Sequence, residues 1–134
     1  MVEYLVSALA EKRVTVYQFD LAVTDIGKLA IALVDAATIV IGTPTVHVGP
    51  HPNVVYAAYL ANALRPKLKF ASIIGSYGWS TKVVDQIAGM IPNLKVEILD
   101  PVLCKGFPAE TDFQALDKLA VNIANKHEQH HLKN

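Results

Sequence analysis

The chain has 134 residues, of which 52% are hydrophobic and 18% are charged, and its formal net charge is zero. This length and hydrophobic content are typical of one folded domain and exclude a disordered chain. A neutral chain offers no basic surface for nucleic acid or for an anionic membrane. We therefore predict a single domain over residues 1–134 that has neither a nucleic-acid nor a membrane partner.

The cysteine content and the hydropathy pattern indicate in which cellular compartment the protein is expected. Cys104 is the only cysteine, so it cannot form a disulfide within the chain, and no apolar stretch reaches the roughly 18 residues that span a bilayer. No signal-peptide pattern precedes the first amphipathic segment. These features predict a cytoplasmic protein.

The first elements of the chain are predicted from periodicity and capping. Apolar residues recur at helical spacing from Val2 to Leu9, so the chain is expected to open inside a helix. β-branched runs and a capping residue predict the next three elements, which are a strand at Val14–Phe19, a helix over 26–34 after the N-cap Asp25, and a strand at Thr38–Ile41.

The remaining chain continues to alternate between helices and strands. We predict a helix over 52–64, a strand at Phe70–Ile74, a helix over 80–91, a strand at Lys95–Leu99 and a helix over 111–126. The 7 prolines fall in loops or at helix starts, which supports these boundaries. Strict alternation favours a three-layer α/β/α fold, in which helices cover both faces of a parallel sheet.

Two of the predicted strands run into loops that are rich in small and hydroxyl residues. Residues 38–41 are followed by the sequence GTPTVHVGP, and residues 70–74 are followed by GSYGWST. Loops at the carboxyl ends of successive parallel strands share a crevice in which ligands bind. Glycines let backbone amides approach a ligand closely, and the rings of Tyr77 and Trp79 can pack against a planar one. The alternatives are a structural turn for the first loop and surface aromatics for the second.

These two loops resemble the flavin-binding loops of the flavodoxin-like domain of flavodiiron proteins, whose motifs read roughly G-[ST]-P-T and G-S-Y-G-W-[SG]-G. The resemblance covers nearly the whole chain, and it implies a flavodoxin-like fold that holds FMN. The cofactor contacts implied by the resemblance are Thr43, Pro44, Thr45, Val46, His47, Gly49, Ser76, Tyr77, Gly78, Trp79 and Ser80.

The resemblance stops short at the beginning of the chain. In a flavodoxin-like sheet of strand order 2-1-3-4-5, the first strand leads into a phosphate-binding loop before the first helix. Met1 corresponds to a position inside that helix. We therefore expect an N-terminally truncated fold that lacks the first strand and the phosphate loop, and weaker FMN binding as a result. A longer natural gene, one half of a split protein and a complete short variant are the three interpretations.

The function implied by the resemblance is electron transfer. FMN would accept electrons from a rubredoxin-like or other reduced donor and pass them to a di-iron centre, which lies on another domain or on the facing subunit of a homo-oligomer. The sequence has no His/Asp/Glu cluster for such a centre, no C-x-x-C pair and no nucleophile set, so we assign no catalytic and no metal-binding residues. Whether the chain is itself an enzyme stays open. The alternatives are a non-flavin binding or assembly module and a small flavin-dependent quinone reductase.

Five further side chains require interpretation. His47 faces either the flavin edge, where a protonated imidazole would stabilise the anionic reduced ring near its usual pKa of about 6.5, or the solvent. His127, His130 and His131 have the spacing that can bind a metal on one helix face, although a frayed, solvated tail is the favoured interpretation. Cys104 is predicted to be a buried thiol without chemistry.

Overall fold

A computed structural model of the chain describes residues 1–21, 23, 26–46, 49–50, 52–64, 68–77, 83–92 and 95–130. The helices within these ranges are α1 (Val2–Glu11), α2 (Ile26–Leu33), α3 (Pro52–Leu64), α4 (Val83–Met90) and α5 (Glu110–Gln129). The strands are β1 (Thr38–Val46), β2 (Gly49–Pro50), β3 (Phe70–Tyr77), β4 (Glu97–Ile98) and β5 (Val102–Lys105).

Strand β3 is the centre of the sheet. Along one edge it pairs in parallel with β1, from Thr38 opposite Phe70 to Pro44 opposite Ser76. Along its other edge it pairs in parallel with β4 and then with β5. The short β2 pairs antiparallel with the end of β1. The long pairings are all parallel, as the alternation of elements predicts.

The helices cover both faces of this sheet. On one face, α1 and α5 form a core with β3 whose buried residues include Leu5, Leu9, Phe70, Ile74, Leu116 and Ile123. On the other face, α2, α3 and α4 supply the buried residues Leu33, Val54, Ala58, Ala61 and Ile87, and Ile73 of β3 packs there. Successive strand residues point to opposite faces, so Ile73 and Ile74 enter different cores. The three-layer α/β/α prediction is confirmed.

The predicted strand Val14–Phe19 is wrong, because residues 14–20 form no regular structure. Val14 is buried in the core beneath α1 and α5, whereas Leu21 packs against the core on the opposite face. The segment therefore crosses from one face of the sheet to the other. Among the described residues only β3 pairs with β1 between Thr38 and Pro44. A β-rich segment forms a strand only where a neighbour satisfies its backbone groups.

The predicted strand Lys95–Leu99 is shortened to β4, and β5 was not predicted. Pro101 lies between the two strands and has no N–H group to continue the ladder. Ser72 of β3 is fully buried and spans this interruption, because its hydroxyl donates to the Leu99 and Asp100 carbonyl oxygens at 3.2 and 3.3 Å. The proline break therefore separates β4, which lies within the predicted strand, from β5, which lies beyond it.

The helix boundaries agree with the predictions to within a few residues. α1 forms where predicted and α3 has the predicted bounds, whereas α2 ends one residue early and α5 extends beyond the predicted range at both ends. The described part of the fourth helix begins at Val83. Its predicted first residues, 80–82, and the predicted N-cap Asp25 lie outside the described residues.

The favoured interpretation of the histidine tail is wrong for His127. Its side chain is only 5% exposed, and its Nε2 lies 2.6 Å from Oγ1 of Thr38 at the start of β1. His130 is exposed, and its ring stands edge-on to Phe70 at a centroid distance of 5.3 Å. His131 lies outside the described residues. The end of α5 is thus attached to the sheet.

Candidate functional site

The strands that lead into the two predicted ligand loops are direct neighbours. Thr43 lies opposite Gly75, and Pro44 lies opposite Ser76. Because β1 and β3 run parallel, the chain leaves both strands at the same edge of the sheet. The structure therefore brings the beginnings of both loops together, as the sequence predicts.

Gly75 fixes how closely these two strand ends approach each other. A Cβ atom at this position would overlap the backbone carbonyl oxygen of Thr43. The obstacle is backbone, so no side-chain rotation can relieve it. The residue at position 75 must therefore be glycine for β1 and β3 to meet in this register.

Burial separates the predicted contact residues into two kinds. Thr43 is 3% exposed, so this residue lies almost wholly inside the protein. In β3 the residues from Phe70 to Gly75 are buried, whereas Ser76 and Tyr77 are half-buried. The strand thus emerges from the core at Ser76, and the hydroxyl of Ser76 and the ring of Tyr77 lie at the carboxyl edge.

A third strand ends beside Tyr77, and the sequence analysis did not assign it to the site. In β5, Cys104 lies opposite Ser76 and Lys105 lies opposite Tyr77. The N–H of Gly106 then donates to the Tyr77 carbonyl oxygen at 2.8 Å. The sequence Lys105-Gly106-Phe107-Pro108 contains a turn signal, but placing the last strand at 95–99 concealed its position at this edge.

Cys104 is a buried, structural thiol, as predicted. It is 1% exposed, and burial raises its pKa above the ordinary value. Its Sγ lies 3.4 Å from Sδ of Met1 and 3.5 Å from the Gly106 carbonyl oxygen. The thiol therefore packs beneath the edge and stays protonated near neutral pH.

The beginning of α1 lies at the same edge of the sheet. Cγ2 of Val2 is 3.0 Å from the position that a Cβ would take on Gly42, immediately before Thr43 in β1. The first N–H groups of a helix carry partial positive charge. Glu3 also lies in the first turn of α1, so the beginning of the helix brings both signs of charge to this edge.

For Thr45, Val46 and Gly49 of the predicted site, the structure gives the backbone pairing. Thr45 and Val46 pair with Pro50 and Gly49, so the first loop folds back along the end of β1. His47, Gly78, Trp79 and Ser80 lie outside the described residues. Their contacts with a cofactor stay predictions.

The described residues contain neither a cluster of metal ligands nor a membrane-spanning helix. Within the described ranges, no group of three or more His, Cys, Asp or Glu residues could hold a metal ion. No helix in the part of the chain that the structure describes is both long and apolar enough to cross a bilayer.

Comparisons of structure define the class of this protein. A flavodoxin from the domain Archaea superimposes with a TM-score of 0.76 and 25% identity, over 94% of this chain and 87% of that one. The parallel sheet and the helices on both of its faces are those of a flavodoxin-like domain.

Sequence comparison identifies the branch of that class. Rubredoxin-oxygen oxidoreductase of Megalodesulfovibrio gigas is 30% identical over 91 residues, which cover 67% of this chain and 23% of that protein. The structure of rubredoxin oxygen:oxidoreductase from Desulfovibrio gigas matches with a TM-score of 0.83 and 26% identity, over 95% of this chain and 32% of that one. The chain is a flavodoxin-like domain that is similar in sequence and in fold to part of rubredoxin-oxygen oxidoreductase. It spans about a quarter of the length of the curated relatives that it matches. No family model matches the chain.

Proposed function

We propose that the chain binds FMN at the carboxyl edge of β1 and β3 and carries electrons from a reduced donor to a di-iron centre on another domain or chain. The observation that supports this most directly is the register of the two loop-bearing strands, with Thr43 opposite Gly75 and Pro44 opposite Ser76. It joins the two motifs that resemble flavin loops.

The described residues at this edge suit the chemistry of a flavin. The half-buried ring of Tyr77 offers an aromatic surface, and the ends of β1 and β3 offer backbone amides at close spacing. A bound flavin supplies the redox chemistry, and the chain supplies its position and its electrostatic surroundings.

The roles of the individual residues follow from this placement. Thr43 and Gly75 keep β1 and β3 close, and Ser76 and Tyr77 face the ligand. Trp79 and His47 are proposed to contact the ring, as the resemblance implies. In each transfer the donor is oxidised and the di-iron centre is reduced by the same number of electrons. We also propose that a rubredoxin-like or other reduced protein is the donor, and that the di-iron centre lies on another domain, on another chain or on a second subunit of a homo-oligomer.

The first experiment is an FMN titration of the purified chain, followed by quenching of flavin fluorescence. Saturable quenching is expected for the wild type, and Trp79→Ala is expected to lower the affinity for FMN by about tenfold, because aromatic contact with a ring system is lost. Tyr59→Ala is the control, since Tyr59 is 69% exposed on α3, outside the two loops. Absence of quenching at high FMN concentration would contradict the proposal and favour an assembly module.

A second titration tests how firmly the chain holds the phosphate of FMN. Riboflavin has the same ring as FMN but no phosphate. If no charge-assisted hydrogen bond holds the phosphate, the two ligands bind with affinities within about tenfold, because a single such bond is worth about 1.5–3 kcal/mol, which is already more than tenfold in affinity. A loss of 100-fold or more with riboflavin would show that the chain holds the phosphate firmly.

A further inference from the structure

The loop between β5 and α5 holds an aromatic side chain in solvent at the ligand edge. Phe107 is 95% exposed, the highest value among the exposed large hydrophobic side chains of the described residues. A phenylalanine that remains in water forgoes the stabilisation that burial would provide.

Both ends of this loop are fixed. At its beginning, the Gly106 N–H donates to the Tyr77 carbonyl oxygen at 2.8 Å, which extends the pairing of β5 with β3 by one residue. At its end, the Asp112 carboxylate accepts a hydrogen bond from the Ala109 N–H at 2.8 Å, and the Asp112 N–H donates to the Ala109 carbonyl at 3.0 Å. Phe107 is thus presented by a short loop that is anchored on either side.

The backbone at Gly106 turns the chain away from the strand direction. Gly106 has a φ of +71°, in the left-handed region that favours glycine, and a Cβ there would have no atom within 4 Å. The space beside the loop is therefore open. Phe107 follows Lys105 by two residues, just as Trp79 follows Tyr77 by two, and Lys105 and Tyr77 are paired.

We propose that Phe107 is a third aromatic contact for the ring of the bound ligand, supplied by the β5–α5 loop in addition to the two predicted loops. This inference rests on the proposed function, since it places Phe107 at the same edge. Three adjacent parallel strands, β1, β3 and β5, then contribute their carboxyl ends to one ligand crevice. An aromatic ring adds to the affinity for a planar ligand by stacking or edge contact.

The test compares FMN with lumiflavin, which consists of the flavin ring without the ribityl phosphate. Phe107→Ala is expected to lower the affinity for both ligands by the same factor, about five- to twentyfold, because only a contact with the ring is removed. Phe107→Trp is expected to restore the affinity. Tyr59→Ala is the matched exposed-aromatic control and should bind as the wild type does. The melting temperature of Phe107→Ala should be unchanged, since the side chain contributes little to packing.

The possible outcomes separate this inference from the proposed function. Wild-type binding with unchanged affinity in Phe107→Ala overturns the inference and leaves FMN binding intact. A loss for FMN without a loss for lumiflavin also overturns it, because the ring would then not be the group contacted. If the wild type binds neither ligand, the proposed function fails, and the third contact fails with it.

Discussion

Strand β3 and the segment 14–20 have similar residues but different surroundings. β3 has a partner strand along both edges, and its residues from Phe70 to Gly75 are buried. The segment 14–20 has β-branched and aromatic residues too, yet it forms no strand and leaves Tyr17 74% exposed. The difference shows that hydrogen-bonding neighbours, more than β-propensity, determine which segment becomes a strand.

The largest effect is expected where β3 meets β1. Gly75→Ala places a Cβ against the Thr43 carbonyl oxygen, so it should abolish folding or cost at least about 4 kcal/mol of unfolding free energy. Gly89→Ala is the matched control, because a Cβ on Gly89 in α4 meets no atom within 4 Å. Alanine there should be neutral or stabilising by up to about 1 kcal/mol. Urea unfolding measures both, and equal stabilities would contradict the close contact.

The next largest loss of stability is expected in β3, and the same kind of substitution in the segment 14–20 should have little effect. Ile73→Ala removes a side chain that is 2% exposed in β3, and it should cost about 3 kcal/mol through lost burial and a residual cavity. Tyr17→Ala in the segment 14–20 should change stability by less than about 0.5 kcal/mol, because the side chain is exposed. The comparison would fail if Tyr17→Ala were as destabilising as Ile73→Ala in the same denaturant titration.

The helical and strand predictions show which features sequence alone can reveal. The periodicity around α1, the proline and alanine pattern of α3, and the apolar run of β3 are local, so their elements could be predicted. The failure at Val14–Phe19 has a non-local cause, since a strand depends on a partner far away in the chain. The hydrogen bond between Thr38 and His127, 89 residues apart, was beyond prediction for the same reason.

The candidate site divides in the same way. Glycine, hydroxyl and aromatic residues after two apolar runs predicted that the ends of β1 and β3 would meet, and the register confirms it. The position of β5 at this edge was not predicted, because the start of β5 depends on the break at Pro101 and on the hydrogen bonds of Ser72 to the chain beyond β4. A single sequence contains the turn signal at Gly106 but not the pairing that brings it beside Tyr77.

An intermediate effect is expected at the other end of β1. Thr38→Val removes the hydroxyl that lies 2.6 Å from Nε2 of the buried His127, and it should cost about 1–2 kcal/mol. Thr111→Val on α5 is the control, because Thr111 is exposed and the change should stay within about 0.5 kcal/mol. Thermal unfolding of the two variants is the measurement, and equal melting temperatures would show that the His127 contact contributes nothing.

The smallest effect concerns pH and the thiol of Cys104. Burial raises its pKa, so the folded chain keeps the proton at pH values where the unfolded chain loses it. Stability from this group is fully present below about pH 8.5, the unfolded pKa, and falls as pH rises through the folded pKa. A small decrease in unfolding free energy between pH 8 and pH 9.5 is expected in the wild type.

Cys104→Ala, compared across the same two pH values, is the control for other titrating groups. The decrease should be smaller in this variant, because the alanine has no proton to lose. Thiol labelling of the wild type should also proceed only as fast as the chain unfolds, since Cys104 is 1% exposed. Rapid labelling of the folded chain would contradict its burial beneath the site.

At Gly75 the limit on substitution is set by the Cβ atom, which every amino acid except glycine possesses. Every missense change of this codon therefore creates the same overlap with the Thr43 carbonyl oxygen. In a saturation library selected for folded protein, only glycine codons should survive at position 75, whereas position 89 should accept many residues. Mutational drift is thus blocked at a position where the backbone of the chain itself imposes the constraint.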